Sequence, residues 1–373
     1  MSKLSRYRRL SLLLALVAGL SPAHADYRTY SQLWQIGGHS LPDLDELALP
    51  LTEIDQPAQS RRNPALISGA TGWGLAFTHQ AQTGDPESTW RKAVPRSRPW
   101  MPAGAALRGW LGPLAVGTGW EQRYNSHERT WVTPFDTLSA GRDWDARLER
   151  WNFQAAWDLL PPCCGGLGLR LGAGLSRNSL RVDQVEAQRY LGEWSWQAGG
   201  RAQWGDLVGA VGWEGPATWS HVAPVWTGPA RDQRDTVQVW GRLPQAWHAQ
   251  AGWTFRPGWS ADLNLRFTEW SGQLLGFRDR LEAALLLHHA LPGAVGWHAG
   301  LASSGTNPVR GSWLDKQFDG EQSTLFLLGG VSLPLGPARL DLKVADSHLG
   351  PGAFRKQTII QVGLGRSFPA GGK

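Results

Sequence analysis

From about residue 70 onward the chain alternates almost without interruption. Trp73, Leu75 and Phe77 skip over Gly74 and Ala76. Trp151, Phe153, Ala155 and Trp157 skip over Asn152, Gln154 and Ala156, and Leu281, Ala283, Leu285 and Leu287 keep the same step. A period of two is that of a β-strand, because successive side chains leave on opposite faces. The period predicts strands at 71–80, 103–111, 114–123, 149–159, 167–177, 193–204, 207–215, 236–255, 259–269, 281–290, 294–303, 324–333, 338–345 and 357–368. The eighth of these is the least regular and is interrupted by Pro244.

The connections alternate as well. Gly112-Pro113, the Pro-Pro-Cys-Cys-Gly-Gly stretch, Gly205-Asp206, Arg256-Pro257-Gly258, Leu291-Pro292-Gly293 and Pro334-Leu335-Gly336-Pro337 are short. The links at 81–102, 124–148, 178–192, 216–235, 270–280, 304–323 and 346–356 are long. Short turns at one end and long loops at the other are the outer-membrane pattern, with the short turns in the periplasm. The predicted fold is therefore all-β: a transmembrane antiparallel β-barrel of 14 strands. One face of each strand is apolar and meets lipid, as in Trp151, Phe153 and Trp157, or Leu263, Leu265 and Phe267. The other carries Arg108, Asn152, Gln154, Asp158, Arg170, Arg201, His248, Asp262, Arg266 and Gln361, so the lumen is predicted to be polar and mixed in charge.

The N-terminus reads differently. Lys3, Arg6, Arg8 and Arg9 precede an apolar run from Leu10 to Leu20, and Ala23-His24-Ala25 has the small-x-small form of a cleavage site. Residues 1–25 are read as a signal peptide. Its removal takes away four basic residues and no acidic one, so a formal charge of +6 becomes +2. That balance, with no basic tract, excludes a nucleic-acid partner. Beyond the signal no run reaches 18 apolar residues, which excludes a helical membrane protein. Residues 26–66 do not alternate and form a separate element. The division is thus 1–25 signal, 26–68 a separate N-terminal segment, 69–368 barrel and 369–373 tail.

Composition sharpens this picture. The chain holds 23 Trp and 46 Gly. Tryptophan collects where an apolar phase meets water, as in barrel girdles. The two cysteines, Cys163 and Cys164, are adjacent and cannot join distant segments. Without His or a carboxylate at ligand spacing they do not make a metal site. No Gly-x-Ser-x-Gly elbow is present, and His288-His289 point to opposite faces of one strand. No enzyme activity, cofactor or metal is expected.

Two groups of residues resemble a known family. Asn63-Pro64-Ala65-Leu66 stands just before the first strand. Pro244-Gln245-Ala246-Trp247, Pro257-Gly258-Trp259 and Thr268-Glu269-Trp270-Ser271 follow one another across the eighth and ninth strands. Both resemble the long-chain fatty-acid transporter family of outer-membrane proteins, from about residue 60 to 368. The departures are the lack of an Asp-Asp-Ala stretch before Asn63, a link of only about 25 residues after the third strand, and a tail beyond Phe368.

The resemblance implies a 14-strand barrel plugged by an N-terminal luminal hatch at 26–68, passing long-chain fatty acids or other hydrophobic small molecules through the outer membrane with lateral release. It implies hatch contacts at Asn63, Pro64, Ala65 and Leu66. It also implies a lateral gap near Gly117, Gly119 and Trp120. Pro64 restricts Asn63, whose side chain can bond its own backbone and hold a turn. The inward Arg108, Arg170, Arg201 and Arg266 are candidates for holding a ligand carboxylate, since arginine pairs bidentately with carboxylates; salt bridges within the lumen are the structural alternative. The expected partners are a hydrophobic small molecule, outer-membrane lipids with lipopolysaccharide, and the barrel assembly machinery, with the chain monomeric in the bacterial outer membrane. The alternative is a structural or secretion-associated barrel without transport activity.

Overall fold

The computed structural model describes residues 51, 63–67, 72–84, 101–111, 113–130, 142–161, 166–183, 187–227, 233–271, 279–291, 293–305, 323–348 and 357–369. The signal segment, residues 26–50 and 52–62, the tail beyond Pro369 and the Cys163-Cys164 turn lie outside them. The strands are β1 (Gly72–Gly84), β2 (Met101–Leu111), β3 (Leu114–Thr130), β4 (Arg142–Leu160), β5 (Leu167–Asp183), β6 (Ala187–Trp204), β7 (Leu207–Glu214) and β8 (Ala217–Thr227). They continue as β9 (Gln233–Leu243), β10 (Ala246–Arg256), β11 (Trp259–Thr268), β12 (Arg280–His289), β13 (Gly296–Gly305), β14 (Ser323–Leu335), β15 (Ala338–Asp346) and β16 (Gln357–Pro369).

Fourteen of these close into one antiparallel barrel. Each strand pairs with its neighbour in sequence, except that β7 pairs with β10. β1 pairs with β16 from Gly72↔Pro369 to Gly84↔Gln357, which seals the barrel. Closure leaves no strand edge in the hydrocarbon, where an unpaired amide costs several kcal/mol (~). The turns at one end are tight, and Gly258 at φ 77° and Gly336 at φ 63° adopt there the left-handed conformation that a side chain disfavours.

Two expectations need correction. The irregular eighth strand of 236–255 is two strands, β9 and β10, and the link 216–235 contains β8. β8 and β9 pair only with each other, as a hairpin continuing β7 and β10. Pro216 and Pro244 stand opposite one another where the barrel ladder ends at Ala246↔Glu214 and the hairpin begins at Ala217↔Leu243. Proline has no N–H to give to a ladder, so pairing stops at both. The links 124–148 and 178–192 are also shorter than predicted, since β3 runs to Thr130 and β4 starts at Arg142. β5 runs to Asp183 and β6 starts at Ala187, because Ser179–Asp183, in which Leu180 and Val182 alternate with polar residues, is itself strand.

The two faces divide as the alternation implies. Trp151, Phe153, Trp157, Trp196, Trp204, Trp247, Trp253 and Leu285 are exposed on the outside, Trp196 at 64% and Trp204 at 68%. Apolar exposure on that scale around a closed barrel belongs to a lipid-facing belt. Neighbouring aromatics touch across it, with Trp120–Trp151 ring centroids 6.4 Å apart and Trp213–Trp247 6.2 Å apart. Placing arginine at Leu285, in the middle of β12 and 57% exposed, is expected to destabilise the barrel in lipid by about 2–4 kcal/mol. Denaturant titration in liposomes measures this; an unchanged midpoint would mean that this face does not meet the bilayer core.

Candidate ligand passage in the barrel lumen

The lumen has two unlike walls. On the β3–β7 side, inward positions at one level are occupied by the smallest residues. Ala115 pairs with Ala156, Ala156 with Gly172, Gly172 with Gly199 and Gly199 with Gly212. Over this row lies a short 3₁₀ turn, Pro64–Leu66. Asn63 caps it: its Oδ1 accepts from the Ala65 N–H at 3.0 Å, and its Nδ2 donates to the Val211 carbonyl on β7 at 3.1 Å. Pro64 suits the first turn position, where its missing N–H is not needed. A β-carbon at Gly172 would overlap the backbone of Pro64 and Ala65, and one at Gly199 would overlap the Asn63 carboxamide. Asn63, Pro64, Ala65 and Leu66 are all buried in the lumen.

Ionic layers flank the row. On the long-loop side Arg150, 1% exposed, pairs with Glu121 at 2.7 Å and also with Glu214. Gln154 donates to Gln197 at 2.9 Å and Gln197 to Glu214 at 3.5 Å. On the short-turn side Arg170 holds both oxygens of Asp158, at 2.6 and 2.7 Å, and donates to the Ile67 carbonyl. Removing one member of a buried ion cluster strands the others. Arg150→Leu leaves Glu121 and Glu214 facing each other and is expected to cost about 3–5 kcal/mol. Denaturant titration in detergent checks this, and a loss near zero would show that water already screens the cluster.

The opposite side carries an apolar patch between buried polar residues such as Glu282, His298 and Lys343. Ala284 and Leu286 on β12, Ala302 on β13, Phe326 and Leu328 on β14, Ala345 on β15 and Ile359 on β16 form one buried cluster facing inward. β14 is six strands on from β6 in the ring of fourteen, so the cluster faces the small-residue row across the lumen. A third apolar group joins the N-terminal segment to the wall: Leu51 and Leu66 pack with Val208 and Ala210. The Leu51 N–H donates to Asp262 Oδ1 at 2.8 Å, and Asp262 pairs in register with Leu286 of the apolar wall.

The sequence-predicted residues fall as follows. Arg170 is occupied by Asp158 and Ile67. Arg201 donates to Gln203 at 3.0 Å. Arg266 lies 3.6 Å from Glu282, a carboxylate that Arg280 approaches to 2.9 Å. Arg108 is buried over Gly74 and is also engaged. Arg170 and Arg201 stand opposite each other on β5 and β6, whereas Arg108 on β2 and Arg266 on β11 lie apart from them and from each other. Gly117 pairs with Arg108 and Gln154, Gly119 with Ala106 and Asn152, and Trp120 with Ala105 and Trp151, so the ladder is joined on both sides at each. The motif residues around Pro244 and Trp270 do meet. Gln245 donates to Glu269 at 2.6 Å and accepts from the Trp213 indole at 3.3 Å, beside the buried Trp270.

Sequence reasoning missed the apolar wall and the Arg150 cluster. The signal for the wall was present. Leu285-Leu286-Leu287 and Leu325-Phe326-Leu327-Leu328 are apolar at consecutive positions, so both faces of those strands are apolar. In a barrel with lipid outside, that pattern means an apolar patch inside. Among the described residues no three His, Cys, Asp or Glu side chains are grouped to hold a metal ion.

A closed 14-strand barrel with an apolar outer belt and polar side chains lining its lumen is an outer-membrane β-barrel. Solved structures share the fold. The CymD monoaromatic hydrocarbon channel superposes with a TM-score of 0.60 at 12% identity, over 89% of this chain and 100% of that one. A Pseudomonas aeruginosa FadL homologue gives 0.58 at 13%, over 90% and 98%. The P. putida toluene transporter TodX gives 0.57 at 11%, over 85% and 95%. Identities this low establish the fold. No family model matches the chain, and no curated protein sequence matches it.

Proposed function

We propose that this protein passes small hydrophobic molecules across the outer membrane, through a barrel plugged by its own N-terminal segment. The observation that carries this reading is the apolar cluster on the lumen side of β12–β16, inside an otherwise polar wall. A pore for hydrophilic solutes has no use for it, whereas a greasy solute excluded by the charged lipopolysaccharide surface needs such a wall. The structures of the same fold lend support: CymD is a monoaromatic hydrocarbon channel and TodX a toluene transporter.

A neutral hydrocarbon fits better than a fatty acid. All four candidate arginines already have protein partners. A ligand carboxylate would have to displace Asp158 from Arg170 or Glu282 from Arg266, and would gain little by exchanging one carboxylate for another. Uptake of labelled toluene and of a labelled long-chain fatty acid, by cells with and without the protein, tests this. Faster toluene entry with little change for the fatty acid is expected. Equal rates with and without the protein would refute the transport reading.

Lateral release is part of the same proposal, at Gly117, Gly119 and Trp120. Ile67, at the end of the plug turn, lies 3.5 Å from where a β-carbon of Gly117 would stand. Two glycines leave this part of β3 without inward bulk. Opening there must break the pairs to Ala105, Ala106 and Arg108. A cysteine pair made by Ala106→Cys and Gly119→Cys, which face each other across β2–β3, is therefore expected to slow hydrocarbon uptake when oxidised and to restore it when reduced. Uptake indifferent to oxidation would move the exit elsewhere.

A further inference from the structure

We infer that the outward face of β4–β6, at its long-loop end, is a binding site for the phosphorylated headgroup of lipopolysaccharide. The site needs only the barrel wall, not a passage inside it. The height of the belt fixes its level. Leu167 pairs with Trp204 at the short-turn end of β5 and β6, and Arg177 pairs with Trp194 ten residues along. Ten strand residues, tilted as in such barrels, rise about 25 Å, the height of the apolar band. Arg177 therefore stands where hydrocarbon gives way to headgroups on the long-loop side, which faces away from the periplasm.

Arg177 is built into this edge. Its Nε donates to the Gly192 carbonyl at 3.0 Å, and its guanidinium carbon lies 5.7 Å from the Trp194 ring centroid. These contacts use one N–H and one face of the group, and no carboxylate among the described residues pairs with it. Its two Nη groups remain for an anion, and a guanidinium presents such groups bidentately to phosphate. Beside and below it Trp151, Phe153, Trp194 and Trp196 are exposed, with the Phe153 and Trp194 ring centroids 6.1 Å apart. The acyl chains of the same lipid would lie on that surface.

Four residues farther out, the register sets three arginines in one row: Arg147 on β4 pairs with Arg181 on β5, and Arg181 with Arg189 on β6. The unbroken β4–β5 ladder from Trp151↔Arg177 to Arg147↔Arg181 puts the row on the outward face. Like charges directly opposite one another destabilise a ladder, and a polyanion lying over them removes that cost. Glu149 lies between the two arginine levels, and Asp145 and Asp183 follow beyond the row, again opposite each other. The charges are thus sorted by level and not paired across strands. Three carboxylates accompany four arginines and leave the sector positive. Across the ring from β6, the outward residue at the same end of β15 is Asp346, in register with the exposed Leu327 and 3.0 Å from His348. Positive charge is therefore not spread evenly around the rim, as a general attraction to the leaflet would have it.

The test offers the full-length protein, in detergent micelles, bisphosphorylated lipid A or the same lipid stripped of its phosphates by a phosphatase. Native mass spectrometry counts the bound lipid. The phosphorylated form is expected to bind at least about tenfold more tightly, as charge-assisted arginine contacts provide. Arg177→Gln combined with Arg181→Gln and Arg189→Gln is expected to erase the difference, with heat-modifiable migration as the folding check. Asp346→Asn, on the opposite side, is expected to keep it. Equal binding of the two lipids by the parent, or an unchanged preference in the folded triple variant, would overturn the site. Displacement of the lipid by inorganic phosphate alone would make it a plain phosphate site and overturn the lipid assignment. The stripped lipid probes the unaltered protein, so a variant that fails to fold still leaves the outcome decided.

Discussion

Phe326→Lys should abolish protein-dependent hydrocarbon uptake while leaving the barrel folded. Phe326 is 1% exposed and sits at the centre of the luminal apolar cluster, between Ala302 and the level of Leu328. Truncation to alanine removes about 1.5–3 kcal/mol of apolar burial, enough for a tenfold or greater loss in affinity. Lysine does more, because its ammonium keeps water on a surface that must shed it to accept a hydrocarbon. The measurement is initial uptake rate below saturation, with heat-modifiable migration on a gel as the folding check. An outward control, Leu327→Ala, changes the lipid face of the same strand and should leave uptake within about twofold. Normal transport by a folded Phe326→Lys barrel would show that the ligand does not travel along this wall.

Gly199→Leu should unseat the plug turn and turn a selective passage into a leak. A β-carbon at this position overlaps the Asn63 side chain, and the rest of the leucine would occupy the space of the turn itself. Overpacking of this kind typically costs about 1–3 kcal/mol, and here the least expensive relief is to expel the turn, since the wall is fixed by ladders on both sides. Liposome swelling with a small sugar reads the result. Swelling by the variant and none by the parent is expected, with Gly199→Ala intermediate. If Gly199→Leu folds and stays sealed, the turn does not depend on the small-residue row.

The fold was legible because alternation and loop length are independent signals that agree. Trp151–Trp157 gives the phase of β4, and Gly205-Asp206 against 304–323 gives the ends of the barrel. Boundaries failed where strands run past the apolar belt, as at Ser179–Asp183, where Leu180 and Val182 keep the alternation but are too few among Ser179, Arg181 and Asp183 to stand out from a loop. The β8–β9 hairpin failed because Pro216 and Pro244 act jointly, and their meeting opposite one another is visible only in three dimensions. At the site, the position of Asn63-Pro64-Ala65-Leu66 before the first strand was legible. Its seat was not, because Gly172, Gly199 and Gly212 lie far apart in sequence and join only through register. The arginines were legible as inward, and salt bridging within the lumen was legible as their alternative use; Glu282 as the partner of Arg266 was not, since it reaches that side chain only across strands.

The central claim is that this barrel admits hydrophobic solutes and excludes hydrophilic ones. Purified protein in liposomes, offered labelled toluene and a labelled small sugar together, tests it most directly. The account predicts protein-dependent entry of toluene to a lumenal trap and no entry of the sugar above protein-free liposomes. Entry of the sugar at a comparable rate would make the protein an open pore, and entry of neither would leave it a structural barrel.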